Sequence, residues 1–247
     1  MKLLVDVGNT RIKWAQARKR VLAKPRAATH AGNALRTVLQ TEWSALPRPE
    51  QVLIANVAGA EAAAVLQQYC ETHFGITPGF VVSRAADAGV VNGYRDPRQL
   101  GVDRWAGVIG AYVSYGGPVC VVACGTAITI DTVTGDGQHL GGLIAPGLVV
   151  MQRALAAAAP ALPAEAGAAV ALYARDTLTA VTSGVLYAAA GCVERALGEI
   201  RADQGVSLKV LLTGGDAELL RPHLSARITL APHLVLEGLA VLAELQA

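Results

Sequence analysis

The feature that most constrains this chain is that it begins twice. An apolar run ending in Val5-Asp6-Val7 meets Gly8-Asn9-Thr10, and in the second half Val122-Ala123-Cys124 meets Gly125-Thr126. An alternating run follows each time, Ile12-Lys13-Trp14-Ala15 in the first copy and Ile128-Thr129-Ile130-Asp131 in the second. Such a pattern reads as strand, tight reversal, strand. Gly8 and Asn9 can take positive φ, so the chain can reverse there without steric penalty. The repeat predicts two α/β halves, 1–117 and 118–247, parted where Gly116-Gly117-Pro118 breaks a helix.

In the first half, strands are expected at Lys2–Val7, Arg11–Ala17, Val21–Lys24, Gln51–Ala55 and Gly79–Val82, and helices at Asn33–Ser44, Glu61–Phe74 and Val102–Tyr115. In the second, strands are expected at Val119–Ala123, Ala127–Val133, His139–Ile144 and Leu208–Thr213. Helices fall at Leu148–Ala158, Asp176–Asp203, Asp216–Arg221 and His233–Glu244. Val90–Pro97 carries turn signals and reads as a loop. Two halves, each opening on a glycine hairpin, resemble the duplicated ribonuclease-H-like (actin-like ATPase) fold of actin, sugar kinases and heat-shock chaperones. That fold is α/β, with two mixed sheets flanked by helices and one nucleotide clamped between the hairpins. The plain alternative is a glycine hairpin that recurs by chance.

Composition narrows the function. Hydrophobic residues make up 53% and mean hydropathy is +0.39, so a membrane span must be excluded. The most apolar stretch, Pro118–Ile130, is interrupted by Gly125 and is shorter than the ~20 residues a spanning helix needs. Net charge is +2 and aromatics are 4%, which argues against a nucleic-acid stripe or base-stacking platform. Arg18-Lys19-Arg20 reads as a solvated hairpin tip. Cys70, Cys120, Cys124 and Cys192 show no CxxC spacing, and the N-terminus enters a strand without a leader pattern. A reducing cytoplasm is expected.

Several segments can carry chemistry. DVGNTRIK at Asp6–Lys13 puts an acid, a glycine turn, a hydroxyl and a lysine close together. Asp6 can hold a hydrated Mg²⁺, Asn9 and Thr10 can meet an anion, and Lys13 can meet phosphate oxygens. Alone, the same letters make an ordinary hairpin, and no GxxxxGK[ST] loop occurs. Gly101-Val102-Asp103-Arg104 opens a predicted helix. There an acid is favoured by the helix dipole whatever its function. Asp103 can also take a proton from a substrate hydroxyl while Arg104 grips a carboxylate. Gly125-Thr126 is a second candidate phosphate turn, and Thr213-Gly214-Gly215-Asp216-Ala217 is a strand-to-helix glycine turn that can hold a nucleotide or merely cap a helix.

Together these pieces resemble the type III pantothenate kinase family across essentially the whole chain. DVGNTRIK and CGTAITID (Cys124–Asp131) look like its phosphate loops. NGY (Asn92–Tyr94) and GVDR (Gly101–Arg104) look like its pantothenate-binding segments. GGLIAPG (Gly141–Gly147), TGGDA (Thr213–Ala217) and the stretch from Arg175 to Gly184 match further family motifs. The resemblance implies ATP-dependent phosphorylation of the pantothenate 4′-hydroxyl, the first step of coenzyme A synthesis, by a homodimer. It implies Asp103 as catalytic base, with Tyr94, Gly101, Val102, Asp103, Arg104 and Thr177 binding pantothenate. Asp6, Val7, Gly8, Asn9, Thr10, Arg11, Ile12, Lys13 and Thr126 would bind ATP, with Asp6 near Mg²⁺.

One position departs from the pattern. Family members that need a monovalent cation carry an acid two residues before the Gly-Thr of the second loop, and this chain has Ala123 there. Ala123 is also the counterpart of Asp6 in the internal repeat. A K⁺ or NH₄⁺ site built on that carboxylate cannot form in the usual way: either the cation is held by carbonyls alone, or the enzyme does not need it. Two other functions stay open at this level: a kinase for another small hydroxy acid, or a non-catalytic accessory factor for transcription acting through a protein partner.

Overall fold

Each predicted repeat folds into its own sheet. The computed structural model describes residues 1–30, 34–205, 207–225 and 227–245. The first half runs β1 (Lys2–Val7), β2 (Arg11–Arg18), β3 (Val21–Thr29), α1 (Ala34–Trp43), β4 (Gln51–Asn56), α2 (Ala60–Tyr69) and β5 (Gly79–Phe80). A small hairpin, β6 (Ala86–Asp87) and β7 (Val90–Val91), precedes α3 (Val102–Tyr115). The second half runs β8 (Val119–Cys124), β9 (Ala127–Val133), β10 (His139–Pro146), α4 (Leu148–Ala158), α5 (Thr177–Gln204), β11 (Lys209–Thr213), α6 (Ala217–Leu220), β12 (Ile228–Leu230) and α7 (Leu234–Leu245).

The first sheet has the order β3-β2-β1-β4-β5 and the second β10-β9-β8-β11-β12. These are the same order, strand for strand. In the first, β1 is antiparallel to β2 and parallel to β4. In the second, β8 is parallel to β11, and β11 to β12. Even the loop bonds repeat: the Val7 carbonyl accepts from Val57 N (2.9 Å), and the Cys124 carbonyl accepts from Asp216 N (3.1 Å). In both copies the acceptor sits one residue before the glycine, and the donor follows the neighbouring parallel strand.

Central strands are buried on both faces, which is why β1 and β8 read as continuous apolar runs. Leu3, Val5 and Val7 pack with Ile12, Trp14 and Ile54 and with Leu35, Leu39 and Trp43, the inward stripe of α1. In the second half Val122, Cys124, Ile128 and Leu212 pack with Val193 and Leu197 of α5.

The compact units follow contacts rather than chain order. One unit comprises Met1–Gly116, Val133–Leu140 and His233–Ala247; the other comprises Gly117–Thr132 and Gly141–Pro232. The change of unit at Gly116/Gly117 coincides with the helix break read from sequence, but two later segments rejoin the first unit. Apolar α7 joins because it crosses α3 at glycines. A Cβ on Gly110 would lie 2.6 Å from the Leu234 carbonyl oxygen, and one on Gly238 would overlap the Ala106 carbonyl.

Some elements differ from expectation. β3 continues to Thr29, pairing with β2 past an irregularity between Trp14 and Gln16. Its mostly exposed edge position permits Pro25 and hides any alternation. Helix α2 gives way to a π turn at Cys70–Phe74, closed by Gly75 at φ 64°. Strand β12 adds to the elements expected from the sequence, and the loop expected at Val90–Pro97 begins inside the β6–β7 hairpin. Asn33, the expected start of the first helix, lies outside the described residues.

Candidate active site

In the first unit the acid of the opening motif sits at the end of β1. The β1–β2 register sets Asp6 directly opposite Lys13, so their side chains are cross-strand neighbours. Asp6 is buried, and burial pushes its carboxyl up from 3.8 to about 6. The Lys13 charge pulls the value back, and the Asp103 charge pushes it further up. Asp6, Lys13 and Asp103 therefore share one electrostatic environment. His233 also feels Lys13: burial first, then that positive charge, lowers its pKa.

The turn itself is exposed from Asn9 to Arg11. Gly8 N donates to the Arg11 carbonyl at 3.0 Å. Two bonds from His30 tie the turn down, Nε2 to the Gly8 carbonyl (2.8 Å) and the backbone N–H to the Thr10 carbonyl (2.9 Å).

Asp103 occupies the first turn of α3, where Gly101 precedes it without a side-chain cap. Its Oδ1 accepts from Arg104 N at 2.8 Å. The neighbouring Arg104 is buried, and its Nη1 donates to the Tyr94 hydroxyl at 2.8 Å. The guanidinium carbon also lies 5.5 Å from the Tyr94 ring centroid, within cation–π range. Tyr94 is held from its own loop, since Asn92 Oδ1 accepts its backbone N–H at 3.0 Å and Asn92 Nδ2 reaches the Arg84 carbonyl at 3.1 Å. Trp105 Nε1 donates to Asp87 at 3.1 Å, fastening α3 to the same loop.

Sequence reasoning missed two histidines in this unit. His139 is fully buried; its Nδ1 accepts from Gly93 N at 3.4 Å, and its ring lies within 11° of parallel to Tyr94 at 6.1 Å. The β9–β10 hairpin tip brings it there. Gly137 at φ 89° packs so closely on Gly89 that a Cβ would overlap the Gly89 carbonyl. A lone histidine after a Gly-Asp-Gly tip carries no local sign of this contact. His30, at the end of an irregular edge strand, carried none either.

The second unit gathers its own glycine motifs. Gly147 N donates to the Thr126 carbonyl at 3.0 Å, and a Cβ on Gly147 would overlap the Gly125 carbonyl. Gly214, at φ 101°, leaves no room for a Cβ beside the Cys124 carbonyl. CGT, APG and TGG thus meet at the end of β8, with Thr126 exposed on the turn. Ala123, half-buried, is the parallel partner of Thr213. Thr177 opens α5 behind the Asp176 cap. It lines a groove of about 830 Å³ with Met151, Leu155 and Val181.

The chain matches the family model described as type III pantothenate kinase over residues 2–199. It is 38% identical over 250 residues to the type III pantothenate kinase of Nitrosococcus oceani, covering 99% of this chain and 94% of that protein. It is 40% identical over 255 residues to that of Burkholderia ambifaria, covering 98% and 95%. Among solved structures it resembles a Baf family transcriptional activator from Campylobacter jejuni (TM-score 0.59, 20% identity, 99% and 100% covered). It also resembles the activator of 2-hydroxyisocaproyl-CoA dehydratase from Clostridium difficile with bound ADPNP (0.55, 10%, 99% and 94% covered). A third is a ROK family glucokinase from Streptomyces griseus in complex with glucose and AMPPNP (0.51, 14%, 99% and 98% covered). At these identities the structural likenesses show the fold alone, the actin-like, sugar-kinase architecture that the duplicated sheets display.

Proposed function

The chain belongs to the type III pantothenate kinase family, and from that premise we propose how its residues phosphorylate pantothenate with ATP as donor. The observation that carries the residue roles is the placement of Asp103, in the first turn of α3, beside the Arg104–Tyr94 pair and in the field of Asp6. Asp103 accepts the proton of the pantothenate 4′-hydroxyl as that oxygen bonds to the γ-phosphorus of ATP. The bond from that phosphorus to the β–γ bridging oxygen breaks, and ADP leaves. Such positioning and electrostatic stabilisation account for most catalysis of phosphoryl transfer.

Arg104, oriented by the Tyr94 hydroxyl, binds the pantothenate carboxylate through charge-assisted hydrogen bonds. Gly101 and Val102 shape the approach to Asp103, and Thr177 completes the pantothenate set. Asp6–Lys13 and Thr126 take the ATP phosphates. Asp6 fits Mg²⁺ held through water. It offers hard oxygen donors of the kind Mg²⁺ prefers. The negative charge of Asp103, which raises the Asp6 pKa further after burial, favours a cation beside it. Mg²⁺ there would supply charge neutralisation on the phosphate oxygens, while Lys13 holds the opposite side of the β1–β2 ladder.

With Ala123 in place of an acid, turnover is independent of K⁺ and NH₄⁺. The protein is a cytoplasmic homodimer in this reading. The second unit exposes Ile144 (67%), Leu172 (67%) and Tyr173 (85%), apolar surface suited to a second copy. The thiols Cys70, Cys120 and Cys124 are unpaired and raised to about 12 by burial, which suits a reducing compartment. Among the described residues no helix is long and apolar enough to cross a membrane.

An assay coupling ADP release to pantothenate addition, with and without KCl, tests this reading. ADP release that depends on pantothenate supports it. Background-level release at millimolar pantothenate would sink it and leave the two alternatives, a kinase for another small hydroxy acid and a non-catalytic accessory factor.

A further inference from the structure

The turn after β1 is not closed as a two-residue hairpin usually is. In an antiparallel hydrogen-bonded pair, flanking residues exchange both N–H···O bonds. Here Gly8 N donates to the Arg11 carbonyl at 3.0 Å, but the Gly8 carbonyl is engaged by His30 Nε2 at 2.8 Å. A carbonyl can only accept, so Nε2 carries the proton. The backbone N–H of the same histidine holds the Thr10 carbonyl at 2.9 Å. His30 thus grips a carbonyl on either side of Asn9. It is itself 6% exposed, while Asn9 and Thr10 face solvent.

Peptide planarity converts this grip into an orientation. In a trans peptide the C=O of one residue and the N–H of the next point in opposite directions. With the Gly8 carbonyl turned to His30, the Asn9 N–H is aimed away from it. The Thr10 carbonyl sets the Arg11 N–H in the same way. Glycine at position 8 leaves the preceding φ and ψ soft, so without an anchor the Gly8–Asn9 peptide is free to rotate.

We propose that His30 is a positioning residue for the nucleotide phosphates. It does not touch them; it presets the backbone amides of Asn9 and Arg11 toward the anion. This inference rests on the reading of Asp6–Lys13 as the ATP site. Preorganisation of this kind lowers the ordering cost of binding, so its loss appears in nucleotide affinity rather than in pantothenate affinity.

The test compares wild type, His30→Ala and His30→Gln by steady-state kinetics and by calorimetric titration of Mg·ATP. His30→Ala is expected to raise the KM and Kd for ATP about tenfold, the effect of losing roughly one hydrogen bond. The KM for pantothenate should move less than about twofold on the same argument. His30→Gln, which keeps an N–H donor at a similar reach, should recover most of the ATP affinity. An unchanged ATP KM in His30→Ala overturns the inference. Equal rises in both KM values with a lowered Tm, unrelieved by Gln, also overturn it, because they mark a merely structural residue. A wild-type protein that binds no Mg·ATP instead overturns the site reading beneath it, so the two failures are separable.

Discussion

In the proposed mechanism Asp103, in the first turn of α3, carries the proton chemistry and its neighbour Arg104 carries the substrate charge. Asp103→Asn should therefore lower kcat by roughly 10²–10⁴-fold, measured under saturating ATP and pantothenate; near-normal turnover would remove Asp103 from the role of base. Arg104→Ala should raise the pantothenate KM far more than it lowers kcat, and an unchanged KM would exclude the carboxylate clamp. Asp6 gives a pH prediction. Its folded value of about 6 stands above the ordinary 3.8 because burial opposes ionisation. The folded state therefore holds that proton more tightly than the unfolded chain. Its contribution is full below 3.8 and is lost as pH rises through about 6. In metal-free protein, Asp6→Asn should be the more stable form near neutral pH by roughly 2–3 kcal/mol, with the gap closing toward acid. Paired denaturant melts across that range check it, and a gap that does not depend on pH contradicts it. The acid, the lysine and GVDR stand out in the sequence because the chemistry each offers lies in the side chain itself. His30 and His139 do not, because their roles lie in what they touch.

At the scale of elements, the position of Asp103 depends on how α3 is seated. The α3–α7 crossing is close because Gly110 and Gly238 bring the two backbones together. Gly238→Ala places a methyl group against the Ala106 carbonyl, and overpacking of this kind costs about 1–3 kcal/mol. A lowered Tm with a reduced kcat is expected; wild-type values of both would show that the crossing has slack. Long, periodic elements such as α3, β9 and α4 were legible to the residue. The π turn at Cys70–Phe74 was not, since a change from α to π hydrogen bonding leaves the apolar pattern nearly intact. Strand β12 is too short, at three residues, to show alternation, and it exists because β11 offers it a parallel edge.

At the scale of the whole molecule, the two halves repeat the same sheet order but not the same chemistry. Asp6 and Ala123 occupy equivalent strand ends, each paired in parallel with the next strand, with Ala55 and with Thr213. The wild-type rate should thus be flat against KCl, and Ala123→Asp should introduce a KCl dependence. A wild-type rate that rises steeply with KCl would place the cation on other oxygens. The sequence by itself determined the duplication, the paired glycine turns and the unequal carboxylates, because turn chemistry and strand periodicity are local and survive in a string of letters. Only the tertiary structure decided that Val133–Leu140 and α7 join the first unit, that His139 lies against Tyr94, and that His30 holds the Gly8–Arg11 turn. Those contacts join residues far apart in the chain, and burial and hydrogen bonding at such separations leave no periodic trace.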